Sequence, residues 1–165
     1  MTPAQSRNAA YMLALLIPAA LMGGALIAQF AFGLPPCEMC WWQRYPHIAA
    51  IVMALIAQTQ RRTGGGDMLV TLAAVATGIS GLIGAFHAGV EYGWWEGITT
   101  CSSHKLGNDP LAAIMSAPVI RCDVAPWTLF GVSLAGYNFL ISMAGAITVF
   151  RLLGRARRFA GGLQP

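Results

Sequence analysis

The chain carries four cysteines in two pairs, Cys37 with Cys40 and Cys101 with Cys122. The first pair has the C-x-x-C spacing of redox-active dithiols, whose thiols are readily activated. The second pair would close a loop of about twenty residues, which contributes roughly 3 kcal/mol of stability in the chain-entropy model. Both electron transfer and permanent structural bridging therefore stay open as interpretations of these pairs.

Arg44 follows Cys40 by four residues. Because residues at i and i+4 share a helix face, a helix that begins near Cys37 would place the guanidinium one turn from the Cys40 sulfur. Thiolates near a helix N-terminus are stabilised by free N–H groups and by the helix dipole. The pattern predicts an activated thiol at a depth that a lipid-soluble molecule can reach.

His87 precedes Glu91 with i, i+4 spacing at the end of a long apolar run. Ionisable groups inside membrane spans are costly and usually functional. We expect His87 to lie at about the depth of Arg44, where the two side chains could hold a polar ring head group. A histidine bonded only to Glu91 or to a backbone carbonyl is the alternative.

A zinc site would combine Cys37-x-x-Cys40 with Cys101-x-x-His104. It would leave Cys122 unpaired on the oxidising side of a membrane, and the sequence therefore predicts no metal site.

The segment around the second pair is polar, which predicts an exposed and exchangeable bridge with few apolar neighbours. Arg121 precedes Cys122, and Lys105 lies near Cys101. Either cation could favour a thiolate there.

Composition places these residues in a membrane. Hydrophobic residues make up 56% and charged residues 10% of the 165-residue chain, whereas soluble domains carry about 25% charged residues. The formal net charge of +4 does not indicate nucleic acid, because four arginines cluster after the last apolar run. We predict an all-α integral membrane protein that forms a single domain over residues 1–165.

The apolar runs predict a bundle of four transmembrane helices. The expected spans cover residues 11–32, 42–60, 68–90 and 127–150, and the expected periplasmic loops cover residues 33–41 and 91–126. Pro46 is compatible only with the first turn of a helix, which favours a start near Trp41–Trp42. Gly78, Gly81 and Gly84 predict a flat strip where a neighbouring helix approaches closely.

Orientation follows from the basic residues. Seven Lys and Arg residues fall on one side of these spans and three on the other. The positive-inside rule makes the first side cytoplasmic, with both termini. Both cysteine pairs then lie in a periplasm-like space, where disulfides persist.

The segment Pro36–Arg44 resembles the C-x-x-C-x-x-x-R motif of the DsbB family of membrane thiol–quinone oxidoreductases. Arg121-Cys122-Asp123 followed by Pro126-Trp127 resembles the start of that family's fourth helix. The resemblance covers nearly the whole chain. It implies a bacterial inner-membrane protein that uses ubiquinone or menaquinone and a soluble thioredoxin-fold partner of the DsbA type.

The resemblance also implies a role for each site residue. The reduced carrier would attack Cys101, the released Cys122 would attack Cys37, and Cys40 would become the thiolate that faces the quinone. Arg44 would stabilise that thiolate and the developing quinone charge. His87 corresponds approximately to a family histidine near the quinone.

Two other functions fit the same residues. The architecture could run in the opposite direction, as a thiol reductant or a quinone reductase like vitamin K epoxide reductase, because relative potentials set the direction. A non-enzymatic membrane scaffold stapled by two permanent disulfides is the third possibility.

Overall fold

The computed structural model describes residues 1–61, 64–99, 101 and 120–161. Within these residues the chain forms four long helices: α1 (Pro3–Phe30), α2 (Glu38–Thr59), α3 (Gly64–Glu91) and α4 (Leu134–Gly161). A short antiparallel hairpin of β1 (Thr128–Leu129) and β2 (Val132–Ser133) precedes α4.

Three of the described helices are long and apolar enough to cross a membrane, namely α1, α3 and the Leu134–Arg158 part of α4. The second and third turns of α2 contain Gln43, Arg44 and His47, which lower its hydropathy, and all three are buried inside the bundle. The chain is thus a mostly helical membrane protein, and a fourth span along α2 stays a prediction.

Helix α2 begins earlier than the sequence pattern indicated. Cys37 is its N-cap, with extended backbone angles, and its sulfur accepts a hydrogen bond from the Cys40 amide. Pro46 therefore lies in the third turn, so the expectation that it marks the first turn was wrong. A proline at this position leaves the carbonyl of Trp42 without its helical N–H donor.

Helix α4 begins later than Trp127, where the fourth apolar run starts. Residues Phe130 and Gly131 have φ angles of 50° and 77° and form a tight turn, as two-residue hairpins require. The Tyr92 hydroxyl donates to the carbonyl of Gly131 and accepts from the Ser133 amide. This turn chemistry holds residues 127–133 out of the helix although their composition is apolar.

The predicted glycine strip is confirmed in the packing of α3 against α4. A Cβ atom on Gly81 would lie 3.0 Å from Cβ of Ser142, and one on Gly84 would lie 2.9 Å from the carbonyl oxygen of Ala135. The rest of the core is built mainly from alanines, which lets the helices approach closely. Its buried members include Ala50, Ala54, Ala57, Ala73, Ala74, Val149 and Leu153.

Candidate redox site

The first cysteine pair lies at the N-terminus of α2. The Sγ atoms of Cys37 and Cys40 are 2.7 Å apart, and both cysteines are free thiols. Cys40 lies in the first helical turn, where unpaired N–H groups favour negative charge. The dithiol is therefore placed where a thiolate is stabilised by the helix itself.

The pKa values of the two thiols are shifted in opposite directions. The hydrogen bond with Cys40, followed by burial, raises the pKa of Cys37. The same hydrogen bond from Cys37 lowers the pKa of Cys40, against the effect of its own burial. Cys40 is consequently the better thiolate of the pair, and thiolate is the reactive form of cysteine.

The second pair, Cys101 and Cys122, forms a disulfide, and the Cys122 amide donates to the carbonyl of Cys101. The expectation of an exposed bridge with few apolar neighbours was wrong, because Cys122 is 0% exposed and packs with Met39 and Val90. Cys122 is buried because it packs against Met39 at the start of α2 and Val90 at the end of α3, and Cys101 is partly buried beside it.

All four cysteines belong to one apolar cluster, which we call the cysteine cluster. Its members are Cys37, Met39, Cys40, Phe86, Val90, Cys101, Ile120 and Cys122. Thiol–disulfide exchange requires access of one sulfur to another. The structure therefore brings the two pairs together, as a relay between them requires.

Gln43 connects this cluster to the interior of the bundle. Its Nε2 donates to the carbonyl of Met39, and its Oε1 accepts from the Asn138 amide. The amide orientation is thereby determined, so the contact of 2.9 Å between Nε2 and Nδ1 of His87 is a donation to the ring. A neutral His87 then carries its proton on Nε2.

The protonated Nε2 of His87 lies 3.6 Å from Sγ of Cys37 and 3.7 Å from Oε1 of Glu91. The two thiols and this ring have ligand atoms within 4.8 Å of one another, a spacing that could suit a thiophilic metal. With Gln43 donating to Nδ1, however, the ring faces the sulfur as a hydrogen-bond donor and not as a ligand. We therefore interpret His87 as a hydrogen-bond donor to the sulfur of Cys37.

The sequence analysis predicted that Arg121 or Lys105 could favour a thiolate at the second cysteine pair. Arg121 donates two hydrogen bonds to Asp123, and this ion pair raises the pKa of Arg121. Its guanidinium is thus engaged by a carboxylate. His104 and Lys105 lie outside the described residues. Cys101, which the alternative zinc site would use as a ligand, is bonded to the sulfur of Cys122.

Arg44 is 7% exposed. Its guanidinium donates to Oε1 of Gln29 at 2.7 Å and to the carbonyl of Ala25 at 3.3 Å, and it lies over the Trp41 ring at 4.9 Å. The described residues include no ion pair between Arg44 and an acid. Its positive charge contributes to the lowered pKa of Cys40, as the i, i+4 register predicted.

A cavity of about 240 Å³ opens beside Cys40. Small residues of α1, among them Ala20, Gly24 and Ala25, leave this space. Its volume is below the range of about 300–1,000 Å³ for drug-sized ligands and suits a single ring. The polar side chains around it are those of Gln43, Arg44, His47, His87, Glu91, Tyr137 and Asn138.

Four residues of this site were not singled out by the sequence analysis: Gln29, Gln43, His47 and Asn138. Each is a polar residue in an apolar helix, which is a signal for an interior role in membrane proteins. His47 donates from Nε2 to Oδ1 of Asn138 at 2.9 Å. The signal was present, but partners 91 residues apart cannot be paired from sequence alone.

Comparison with known families matches residues 7–152 to the family described as Disulfide bond formation protein DsbB. The chain belongs to the DsbB family. The matched range includes both cysteine pairs, Arg44 and His87, so the resemblance of the C-x-x-C-x-x-x-R segment is confirmed at the level of the family.

Individual DsbB relatives align over most of the chain. Disulfide bond formation protein B of Acidovorax sp. (strain JS42) is 30% identical over 86% of this chain and 88% of its own length. The protein of the same name from Paracidovorax citrulli (strain AAC00-1) is 31% identical over 87% and 89%. No solved structure gives a significant match.

Membership of the DsbB family identifies this chain as a membrane protein of disulfide bond formation. The family name implies an oxidoreductase, which agrees with the free dithiol and the adjacent disulfide at one end of the bundle. An uncharacterized protein of Rickettsia prowazekii is also similar, with 25% identity over 72% of both chains.

Proposed function

We propose that the protein is a thiol–disulfide:quinone oxidoreductase. It takes electrons from a periplasmic thioredoxin-fold dithiol carrier of the DsbA type and passes them to ubiquinone or menaquinone. The observation that carries this proposal is the single cluster of four cysteines, in which Cys40 also lines a cavity beside Arg44. One end of the relay meets water and the other meets lipid.

The proposed topology has four spans with both termini in the cytoplasm of a bacterium and the cysteine cluster on the periplasmic side of its inner membrane. Helix α2 has 22 residues and is about 33 Å long at a rise of about 1.5 Å per residue, enough to cross a hydrocarbon core of roughly 30 Å. Gln43, Arg44 and His47 of this helix are buried, so they do not oppose insertion as lipid-facing residues would.

The outer steps are thiol–disulfide exchanges, in which each new disulfide forms as an existing one breaks. A carrier thiolate attacks Cys101, forms a mixed disulfide and releases Cys122 as a thiolate. Cys122 attacks Cys37 of an oxidised inner pair and releases Cys40, and the second carrier thiol then displaces Cys101. When Cys101 in turn displaces Cys37, the outer bridge is restored, the inner pair holds two electrons and the carrier is oxidised.

The inner pair then reduces the quinone. As Cys37 and Cys40 form a disulfide they give up two electrons and the proton of the Cys37 thiol; together with the proton that Cys40 released on ionising, these would convert a bound quinone to a quinol. Arg44 keeps Cys40 ionised and supplies N–H donors at the cavity wall. His87 donates from Nε2 toward Cys37, and so stabilises negative charge on that sulfur.

A purified-protein assay tests this function directly. Reduced carrier and a short-chain quinone are mixed with the protein, and loss of quinone absorbance is followed. We expect catalytic quinone reduction, which Cys40→Ser lowers by at least about 10³-fold because a serine hydroxyl cannot form the bridge. Tyr11→Phe, at the opposite end of the bundle, is the control with an unchanged rate. Full activity of the Cys40→Ser protein would sink the proposal.

The carrier is identified by trapping. In a Cys122→Ala protein the mixed disulfide at Cys101 cannot be resolved from inside, so the partner should accumulate in covalent complex. Mass spectrometry of that complex names it. A permanently stapled scaffold would instead yield no complex, and all four cysteines would stay oxidised in quinone-starved cells.

A further inference from the structure

Asn138 is the centre of a buried polar network beside the cavity. Its Nδ2 donates to the main-chain oxygen of Ser80 at 3.1 Å and to Oε1 of Gln43 at 2.8 Å. A carbonyl oxygen can only accept, so the amide orientation is determined. Oδ1 of Asn138 is therefore the acceptor for the Ser142 hydroxyl and for Nε2 of His47, both at 2.9 Å.

This orientation determines the tautomer of His47. Because Oδ1 of Asn138 accepts, the proton of a neutral imidazole must sit on Nε2, and Nδ1 keeps a lone pair. A second proton on Nδ1 would create a buried cation close to Arg44 in sequence and on the same cavity wall, which is unfavourable. His47 thus presents an acceptor, not a donor.

That acceptor has no partner among the described residues. Nδ1 of His47 is buried and not hydrogen-bonded, and the side chain lines the cavity. Leaving a buried acceptor unpaired is unfavourable, and such atoms call for a physical explanation. A ligand hydroxyl in the cavity would supply the missing donor.

The chemistry of the two substrate forms then decides which of them His47 recognises. A quinone ring carries two carbonyl oxygens, which only accept and are repelled by a lone pair. A quinol carries two hydroxyl groups, which donate. Arg44 has N–H donors and serves the oxygen of either form, whereas His47 can bond only the reduced one.

We propose that His47 is a quinol-specific subsite, whose Nδ1 accepts a hydrogen bond from a hydroxyl of the reduced ring. This inference rests on the proposed function and deepens it. The subsite favours the product over the substrate within the cavity, so it contributes to the driving force of reduction and makes quinol release sensitive to the same residue.

Equilibrium binding tests this subsite without turnover. In a Cys40→Ser background, the Kd of a short-chain benzoquinone and that of its quinol are measured by calorimetry, with and without His47→Phe. We expect the quinol Kd to rise about tenfold, the value of one buried hydrogen bond, while the quinone Kd does not rise. Equal shifts of both constants, or an unchanged quinol Kd, would overturn the inference.

Ser142→Ala is the matched control. It removes the other donor to Oδ1 of Asn138 but leaves His47 and its lone pair in place. We expect the ratio of the two dissociation constants to stay within about twofold of that of the parent, because the missing bond lies outside the cavity wall. A shift as large as that of His47→Phe would assign the preference to the network as a whole and overturn the role of His47.

A second measurement needs no change at residue 47. The quinol is compared with its dimethyl ether, which has the same ring but no hydroxyl donors, and the ether should bind at least about tenfold more weakly. Equal binding would contradict the subsite even if His47→Phe failed to fold. If the wild-type protein reduces quinone but these ratios do not differ, this inference alone fails; if no quinone is reduced, the proposed function fails.

Discussion

Both ends of the helix bundle hold an arginine over an aromatic ring. Arg44 lies 4.9 Å from the centre of the Trp41 ring and donates to Gln29. At the opposite end Arg61 lies 5.1 Å from the centre of the Tyr11 ring and donates to Gln58. The two sites share residue types and geometry, yet their surroundings differ.

The distal site contains a carboxylate at its centre. Asp67 accepts from Nε of Arg7 at 2.8 Å and from the Tyr11 hydroxyl at 2.7 Å, and Arg7 also donates to the main-chain oxygen of Arg61. We call Arg7, Tyr11, Gln58, Arg61 and Asp67 the Asp67 cluster. Hydrogen bonds and one ion pair link these five residues directly.

The site beside the cysteine cluster is incomplete by comparison. Arg44 has no acidic partner among the described residues. Nδ1 of His47 and Oε2 of Glu91 are buried without a described partner, and both residues line the cavity. Satisfied polar clusters hold helices together, whereas unsatisfied polar atoms around a cavity indicate a ligand site. Unpaired polar atoms around a cavity, more than the presence of polar residues, therefore distinguish the candidate ligand site from the cluster that stabilises the fold.

The sharpest test exchanges the two arginines for a neutral side chain of similar length. Arg44→Met should raise the apparent KM for quinone by about 10–100-fold, because charge-assisted hydrogen bonds contribute about 1.5–3 kcal/mol. Arg61→Met should leave this KM unchanged. Steady-state kinetics with a short-chain quinone decides, and equal effects of the two changes would remove the distinction between the ends.

A second test uses two glycines of the same strip. A Cβ on Gly84 would lie 3.0 Å from Nδ2 of Asn138 and 3.2 Å from Oε1 of Gln43, whereas one on Gly78 would meet only Cβ of Ala146 at 3.7 Å. Gly84→Ala should cost about 1–3 kcal/mol by overpacking and weaken quinone binding through Gln43.

Gly78→Ala is the control, and it should be neutral or stabilising by up to about 1 kcal/mol through helix propensity. Unfolding in mixed detergent micelles measures both changes. Equal stability of the two variants would show that the strip does not constrain the Gln43–Asn138 hydrogen bond.

A substitution in the Asp67 cluster should change the stability of the protein and not its activity. Asp67→Asn should lower the free energy of unfolding by about 1–2 kcal/mol, because it weakens two hydrogen bonds to a charged acceptor. Arg121→Ala, which breaks an exposed pair with Asp123, should change the free energy of unfolding much less, because water screens an exposed ion pair. A changed quinone KM in Asp67→Asn would contradict the division between the ends.

The smallest expected effect is at the hairpin before α4. Tyr92→Phe removes the hydroxyl that bonds Gly131 and Ser133 and should cost about 0.5–1.5 kcal/mol. Hydrogen exchange should speed up at the amides of the hairpin. Tyr45→Phe, at a side chain that is 60% exposed, serves as the comparison and should change exchange there little.

Local patterns predicted several elements of the site. The C-x-x-C spacing, the register of Arg44 with Cys40 and the glycine strip are all relations within a few residues, and helical geometry translates such spacings directly into positions. The start of α2 and the hairpin at residues 128–133 were misjudged, because a cysteine N-cap and a two-residue turn have weak signals inside apolar sequence.

The position of the second pair could not be predicted in the same way. Its local segment is polar, yet Cys122 packs on residues of α2 and α3. Burial at that position depends on contacts with residues distant in the sequence, which no periodicity encodes. The same holds for Asn138, whose partners Gln43, His47 and Ser80 come from two other helices.

The sequence alone determined the class of the molecule, its four thiols and the charge next to one of them, because these depend on composition and on spacing along single helices. Only the tertiary structure decided that both thiol pairs share one apolar cluster and that His47 offers a lone pair to the cavity. Those properties arise from contacts between residues far apart in the chain, where helix packing, and not local spacing, sets the distance and direction of each hydrogen bond.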